Sequence, residues 1–537
     1  MITIPELTAT LQSFSKYKDK TFRPNQGEVV QEVLESDMAI SVISAPTGTG
    51  KSVIGAVLNQ AVGDGIYLVH SKPLQQQLAG DFPEYQILQG RNNYPCLFDG
   101  VFCDRMADEC IPSAFEDCEH FYRPGKKDKY GKYTPESGDC PYMVQKEIVL
   151  NHPLRVLNYA YFLTECNGPG RFRDKPIVIA DEADQLESAL LSHIRLDVTM
   201  RMVEKYALSI PPEDERWSGK WLDWVVTSQN RIANLAQDID KGFDHGFSIK
   251  EQNAILRLDR KLHQFSTLVE ETWLCTIDTN RLGERKWVFS PTWLTPQLTQ
   301  TYFLDHAPRF VLMSATFPPK RILSLCLGIP ECEMEYLQLP NLFPPENRPI
   351  HILNSGDMGA KHFDADYPYV RKQILTILNN HPNDKGLIHS VSYKLRDLIM
   401  QINPQRMITH NEKDRVNQLH LFKQSKQPLV MVSPSMDRGV SLDGDEARFI
   451  IIAKAPFLSL GDRMVKARLE TPHIGRLWYT SMTIQTLEQM AGRGMRSRDD
   501  HCAVYCLDRH IGRIYDQNPM LFSNYWHESV RAGGNNG

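Results

Sequence analysis

Residues Ala45-Pro46-Thr47-Gly48-Thr49-Gly50-Lys51-Ser52 set two glycines, an amine and a hydroxyl in the order that cradles a phosphate. A loop of small residues lets backbone N–H groups converge on an anion, and a following helix adds positive charge from its N-terminus. In such a loop Thr47, Gly48, Thr49 and Gly50 wrap the phosphates, Lys51 reaches the β- and γ-phosphates, and Ser52 ligates Mg²⁺. A glycine-rich loop also serves as a plain tight turn. The apolar run Ala39–Ala45 before it and the apolar helical stretch Val53–Ala61 after it favour nucleotide binding.

A second string, Ile177-Val178-Ile179-Ala180-Asp181-Glu182-Ala183-Asp184, closes another apolar run with acids. Asp181, at the end of a buried strand, is placed to hold Mg²⁺ directly or through water. Glu182 is placed to take the proton from an attacking water. Acids after a strand also act as loop residues or helix caps; paired with the phosphate loop they indicate an ATPase. Of 11 cysteines, Cys96, Cys103, Cys110, Cys118 and Cys140 crowd into one segment. Cys166, Cys275, Cys326, Cys332, Cys502 and Cys506 are scattered, as buried core thiols would be. An odd total without a secretory leader argues against a disulfide framework, so the crowded thiols point to metal. Thiolates suit both an iron–sulfur cluster and zinc; no Cys-x-x-Cys pair is present, which weakens a zinc ribbon.

These residues need elements to hold them. Short β-branched runs recur at Ala39–Ala45, Ile66–His70, Ile177–Asp181, Phe310–Ser314, Leu387–Ser390, Leu429–Ser433, Phe449–Ala453 and Ala503–Leu507. Near-continuous apolar strands mark parallel sheets covered on both faces. Four precede residue 320 and four follow 385, which predicts two α/β lobes. Residues 195–285 read as helical. Ile255, Leu258, Leu262, Phe265 and Val269 form one apolar stripe, and Val225, Ile232, Leu235 and Ile239 another. Both stripes are core-packing signals.

The chain has 537 residues, which at roughly 150 per domain predicts three to four domains. Hydrophobic residues at 42% and charged residues at 23% exclude wholesale disorder. A net charge of −5 argues against a basic nucleic-acid coat but not against a local groove. No apolar run reaches the roughly 18 residues of a membrane span, and the first residues lack a leader core. The expectation is a cytoplasmic protein.

Further strings narrow the class. Phe22-Arg23-Pro24-Asn25-Gln26 precedes the phosphate loop, and Ser314-Ala315-Thr316 closes the first lobe. Asp437-Arg438-Gly439-Val440-Ser441-Leu442-Asp443 and Gln489-Met490-Ala491-Gly492-Arg493-Gly494-Met495-Arg496 lie in the second. Their order resembles a superfamily-two helicase over essentially the whole chain. Gln89-Gly90-Arg91-Asn92-Asn93-Tyr94-Pro95-Cys96, Cys140-Pro141-Tyr142 and Asn158-Tyr159 resemble the iron–sulfur branch of XPD/Rad3-like, DinG-type helicases. Between Lys51 and Asp181 lie 129 residues, room for that branch's four-cysteine [4Fe–4S] insertion. The sequence departs from the family in two places: its usual Asp-Glu-Ala-His ends here in Asp184, and five cysteines are present for four places. With no long nuclease region before the phosphate loop, the chain resembles a compact bacterial or phage-type member.

The resemblance implies an α/β fold of two RecA-like P-loop lobes with parallel sheets, the first interrupted by an iron–sulfur insertion and a helical arch-like insertion. The expected division is lobe 1 at 1–95, 145–190 and 286–340, the cluster at 96–144, the arch at 191–285, lobe 2 at 341–530 and a flexible tail at 531–537. By resemblance, Cys96, Cys110, Cys118 and Cys140 hold the cluster, with Cys103 the spare. Gln26 reads adenine, or is a surface glutamine or N-cap. Gln489 positions water, while Arg493 and Arg496 approach the γ-phosphate, or line a solvated basic face. The stretch from Phe121 to Tyr133 interleaves Arg123, Lys126, Lys127, Lys129 and Lys132 with aromatics, as a strand-gripping patch or a solubilising loop would.

The activity implied is ATP-dependent 5′-to-3′ movement on single-stranded DNA and unwinding of forked duplex by a monomeric motor. The alternatives are an RNA or RNA–DNA hybrid helicase, since Asp-Glu-Ala-Asp is shared with RNA-acting relatives, and a nucleic-acid-stimulated ATPase that remodels without unwinding. A structural scaffold with a dead ATP site conflicts with the intact motifs.

Overall fold

The computed structural model describes residues 2–46, 48–97, 106–107, 118–123, 125–127, 133–134, 137–241, 243, 246–279, 283–411, 414–435, 442 and 444–531. All eight apolar runs are strands, and they lie in two seven-stranded sheets whose pairings are all parallel. The first sheet runs in the order Met334–Gln338, Ile40–Ser44, Phe310–Ser314, Ile177–Asp181, Gly65–Val69, Leu154–Asn158, Gln86–Ile87. The second runs Met407–Thr409, Val430–Ser433, Gly386–His389, Phe449–Ile452, Ala503–Asp508, Ile350–Gly356, Val530–Arg531.

Side-chain alternation divides the first sheet between two cores. Val42, Ile66, Leu68, Val178 and Ala180 face one cluster; Ile43, Tyr67, Val69, Ile177 and Ile179 face the other. Register then fixes where the loops emerge: Ser44 lies opposite Ser314 and Met313 opposite Asp181. The phosphate loop, the Ser-Ala-Thr string and the acidic turn therefore leave three adjacent strands at one level. Strands such as Met334–Gln338 carry mixed residues (MEYLQ) and give no apolar run to read.

The segment 195–285 is not helical throughout. Helices Met200–Lys205, Gly219–Asp240 and Ile249–Leu268 are present, but Leu196–Thr199, Trp273–Thr279 and Arg285–Pro291 form an antiparallel sheet beside them. Leu196 and Val198 point inward between half-exposed Asp197 and Thr199, a period of two too short to stand out beside the longer helical stripes. The stripes do pack: Val225, Ile232, Leu235 and Ile239 on one helix, and Ile255, Leu258, Leu262 and Phe265 on the other, are all buried, while Val269 lies just past the second helix and is half-buried.

An aromatic cluster ties helices to sheet. Phe289 meets Trp221 edge-on at 4.9 Å, stacks on Trp224 at 5.6 Å and touches Phe265 at 5.2 Å. Among the described residues no helix is long and apolar enough to cross a membrane.

The lobes are joined by Gln338–Pro349, and the C-terminal segment closes over this connection. Arg348 is wholly buried; it donates to the Phe343 carbonyl at 3.1 Å and the Tyr525 carbonyl at 2.6 Å and pairs with Ser529 and Glu528. Phe289→Ala should empty the centre of the aromatic cluster and cost about 3–5 kcal/mol. Denaturant melts of the full chain check this.

Candidate active site in the cleft between the lobes

The phosphate loop follows Ile40–Ser44 and opens the helix Lys51–Val62. Gly48 and Gly50 have φ of +83° and +80°, the left-handed region that side chains resist. Close approach also demands glycine at both: a Cβ on Gly48 would meet the Phe343 ring at 1.9 Å, and one on Gly50 would meet Gln26 Nε2 at 2.3 Å. Thr49 is buried and its hydroxyl donates to the Pro46 carbonyl at 2.7 Å. Thr47 lies outside the described residues. Gln26 is buried, with Nε2 donating to the Thr49 carbonyl at 2.6 Å and Oε1 accepting from Arg23 N at 2.8 Å. It buttresses the loop from behind.

Lys51 donates to the Ala45 carbonyl at 3.1 Å. Burial lowers its pKa, against the raising pull of Asp181. Asp181 is raised by burial, with Lys51 opposing. Its Oδ2 accepts from Tyr67 Oη at 2.9 Å and its Oδ1 from Glu182 N at 2.9 Å. The Tyr67 hydroxyl also reaches the Ser52 side chain, so one buried tyrosine spans the two residues expected to hold Mg²⁺. Tyr159 Oη donates to the Asp181 carbonyl at 2.8 Å. Tyr67 was not legible as a site residue, because it lies inside an apolar strand and reads as core, while Tyr159 was legible only as part of the Asn158-Tyr159 string.

Glu182 has φ of +52°, and burial, then Asp181 and Asp184, push its carboxyl up to about 7. Arg493 opposes that rise, and the Arg496 charge acts on Lys51, so both arginines face the site from the second lobe. Gln489, near the end of the helix Gly475–Ala491, bridges the cleft. Its Nε2 lies 3.1 Å from Asp184 Oδ2 and 2.9 Å from Thr316 Oγ1. Asp184 Oδ1 accepts from Ser314 Oγ at 2.8 Å, and Gln485 Nε2 donates to the Thr316 carbonyl at 2.7 Å. The departure at Asp184 thus meets both lobes, with Oδ2 accepting from its neighbour Gln185 at 2.9 Å as well as from Gln489. The string 437–443 lies outside the described residues except Leu442.

Cys96, Cys118 and Cys140 line one cavity with Arg91, His120 and Tyr142. Cys140 N donates to the His120 carbonyl at 2.8 Å, clamping the Cys118 turn to the start of the helix Pro141–Asn151. Three cysteines lining one cavity supply the donor chemistry that a thiolate-ligated iron–sulfur group would need. Cys103 and Cys110 lie outside the described residues. Of the basic stretch, Lys126–Lys127 pairs antiparallel with Tyr133–Thr134, and Arg123 lies against the Phe121 ring at 5.5 Å; Lys129 and Lys132 are outside the described residues.

Residues 374–529 match the helicase C-terminal domain family. An XPD helicase structure shares 15% identity at a TM-score of 0.58, covering 93% of this chain and 98% of that one. Xpd4 of S. tokodaii shares 14% at 0.56, covering 95% and 100%. The fold is that of the XPD helicases. The family match lies in the second lobe, and the antiparallel sheet with its helices lies in sequence between two strands of the first. No curated protein matches the chain.

One buried acid of the cleft carries a pH signature. Glu488, beside Gln489, accepts from Ser523 N at 2.7 Å, and burial pushes its carboxyl up to about 7 from an ordinary 4.5. A folded-state pKa above the unfolded value means stability is full below about pH 4.5 and lost as pH rises through about 7. Glu488→Gln should therefore stabilise the chain at pH 8, by up to about 3 kcal/mol, and gain nothing at pH 4. Melts at the two pH values read the difference.

Proposed function

We propose that the chain is an ATP-dependent DNA helicase of the XPD/DinG type that moves 5′-to-3′ on single-stranded DNA and unwinds forked duplex. The observation that carries this reading is the meeting, across one cleft, of Lys51, Asp181 and Glu182 from the first lobe with Gln489, Arg493 and Arg496 from a helicase C-terminal domain.

ATP binds with its phosphates in the loop 45–52. Lys51 leaves the Ala45 carbonyl for the β- and γ-phosphates, which restores its charge-stabilising partner. Ser52 and Asp181 would hold Mg²⁺, which would supply charge neutralisation at the phosphates. Glu182, whose pKa of about 7 suits a base at neutral pH, accepts the proton of the attacking water. Arg493 and Arg496 stabilise the charge of the transferring phosphoryl, a contribution typically worth about 10³–10⁵ in rate. Loss of the γ-phosphate removes their partner and lets the lobes part, so each turnover is a mechanical step.

Cys96, Cys118 and Cys140, with Cys110 as fourth, would hold a [4Fe–4S] cluster. Its contribution is cross-linking a loop-rich insertion. The cysteine insertion favours DNA over RNA as the strand.

Lys51→Ala should lose nucleic-acid-stimulated ATP hydrolysis, and Glu182→Gln should keep nucleotide binding while kcat falls about 10²–10⁴-fold. Unwinding of DNA and RNA forks with a 5′ or a 3′ tail, alongside iron determination, tests the rest. DNA unwinding from a 5′ tail and iron near four atoms per chain are expected. Preference for RNA forks would replace the substrate, a 3′ requirement would reverse the polarity, and iron-free protein would remove the cluster.

A further inference from the structure

We propose that Arg468 is a positioning residue that couples the second lobe to the acidic motif by acting through Glu187. The inference rests on the ATP-driven reading above. Arg468 lies in the helix Arg463–Leu469 and is 6% exposed. Its guanidinium meets three parts of the chain. Nε donates to the Thr292 carbonyl at 2.7 Å, one residue beyond the antiparallel sheet. Nη2 forms an ion pair with Glu187 Oε1 at 2.7 Å. Its carbon lies 4.5 Å from the Trp293 ring centre and 5.3 Å from that of Trp478. The two tryptophans meet edge-on at 5.5 Å, and Trp293 Nε1 donates to Thr471 Oγ1 at 3.2 Å. A planar, permanently charged group suits this joint, and an ammonium would not reproduce its ring contacts, its bond to Thr292 and its ion pair together.

Glu187 stands in the first turn of the helix Leu186–Ile194, which continues directly from the turn Ala183–Gln185. Asp184 and Glu187 are three residues apart, so they share a face. Gln489 holds the first and Arg468 the second, both from lobe 2. One tether would leave the segment free to swivel; two fix its direction. Asp181 and Glu182 lead into this segment, so displacement of lobe 2 is transmitted to the carboxylates that act on ATP. A cavity of ≈ 680 Å³ opens beside the pair, lined by Ser188, Ser192, Arg195, Thr276 and Arg463. The joint therefore borders a seam where lobe 1, the antiparallel sheet and lobe 2 meet, and any change in that seam bears on the pair.

Steady-state ATPase of the full chain, with and without a single-stranded oligonucleotide, tests the coupling in Glu187→Gln, Arg468→Met and the double variant. Strand-free hydrolysis should stay within about twofold of wild type, and KM for ATP and half-saturation by strand within about threefold. At saturating strand kcat should fall about tenfold in each single variant and no further in the double, because the two act as one unit. An unchanged stimulated kcat in Glu187→Gln, additive losses, or an equal loss without strand would each overturn the proposal. Glu187→Gln leaves the Thr292 and tryptophan contacts in place, so it decides the matter alone if Arg468→Met does not fold. A wild-type chain that no strand stimulates overturns the ATP-driven reading and the coupling with it. A stimulated wild type with unaltered variants overturns the coupling only.

Discussion

Crowding of charge at the ends of three adjacent strands is the constraint on which the rest of the structure depends. Lys51, Asp181, Glu182 and Asp184 are brought together by register, and burial works against the charged form of Lys51, Asp181 and Glu182. One lysine faces three acids, so the site has an excess of negative charge until cations arrive. The second lobe supplies them as Arg493 and Arg496. Closing the cleft is thus an electrostatic event before it is a chemical one. A buried pair that loses a partner leaves a costly uncompensated charge, so the lobes are bound to the state of the site between them.

Neutral groups set the geometry within which those charges act. Tyr67, fixed in the strand Gly65–Val69, reaches Asp181 and Ser52 from below. Phe343 of the connection between lobes lies against Gly48, and Gln26 fills the space at Gly50. The phosphate loop is therefore shaped on one side by the helix Gln26–Glu35 and on the other by the connection. Arg348 draws that connection onto the last residues of the second lobe. A movement of the second lobe consequently reaches the loop by two routes, Phe343 and Gln489.

Sequence revealed the strands buried on both faces and the residues whose chemistry is local. Runs such as Phe449–Ile452 have no polar alternative, and Lys51 or Asp181 is readable from its immediate neighbours. What stayed hidden depends on partners far along the chain. Met334–Gln338 is a sheet-edge strand with a mixed pattern, and Leu196–Thr199 alternates over only four residues beside a long helical stripe. Tyr67 reads as core because its hydroxyl finds its role 114 positions away, at Asp181. Gln489 is readable from its string as a residue that positions water, but its amide contact with Asp184, 305 positions away, is not. Asp184 itself looked like a departure from pattern; only the second lobe explains its two-sided use.

The cysteine segment follows a different logic from the lobes. Within 96–140, Ala107 and Cys118 are the buried apolar residues among those described, too few to make a core. Backbone bridges at Pro95–Met106 and Arg123–Ser137, with the Cys140–His120 bond, set its outline. Such a segment gains little from apolar burial, and covalent or coordinate cross-links are the remaining source of order. The three cysteines that line one cavity sit at the entry of the segment, at its turn and at its exit. A group held there would fasten both ends to the helix Pro141–Asn151, whose Tyr142 packs into the first-lobe core. Loss of that fastening would loosen the insertion before the phosphate loop, since the helix Pro141–Asn151 leads into the strand Leu154–Asn158, four strands away from Ile40–Ser44 in the first sheet.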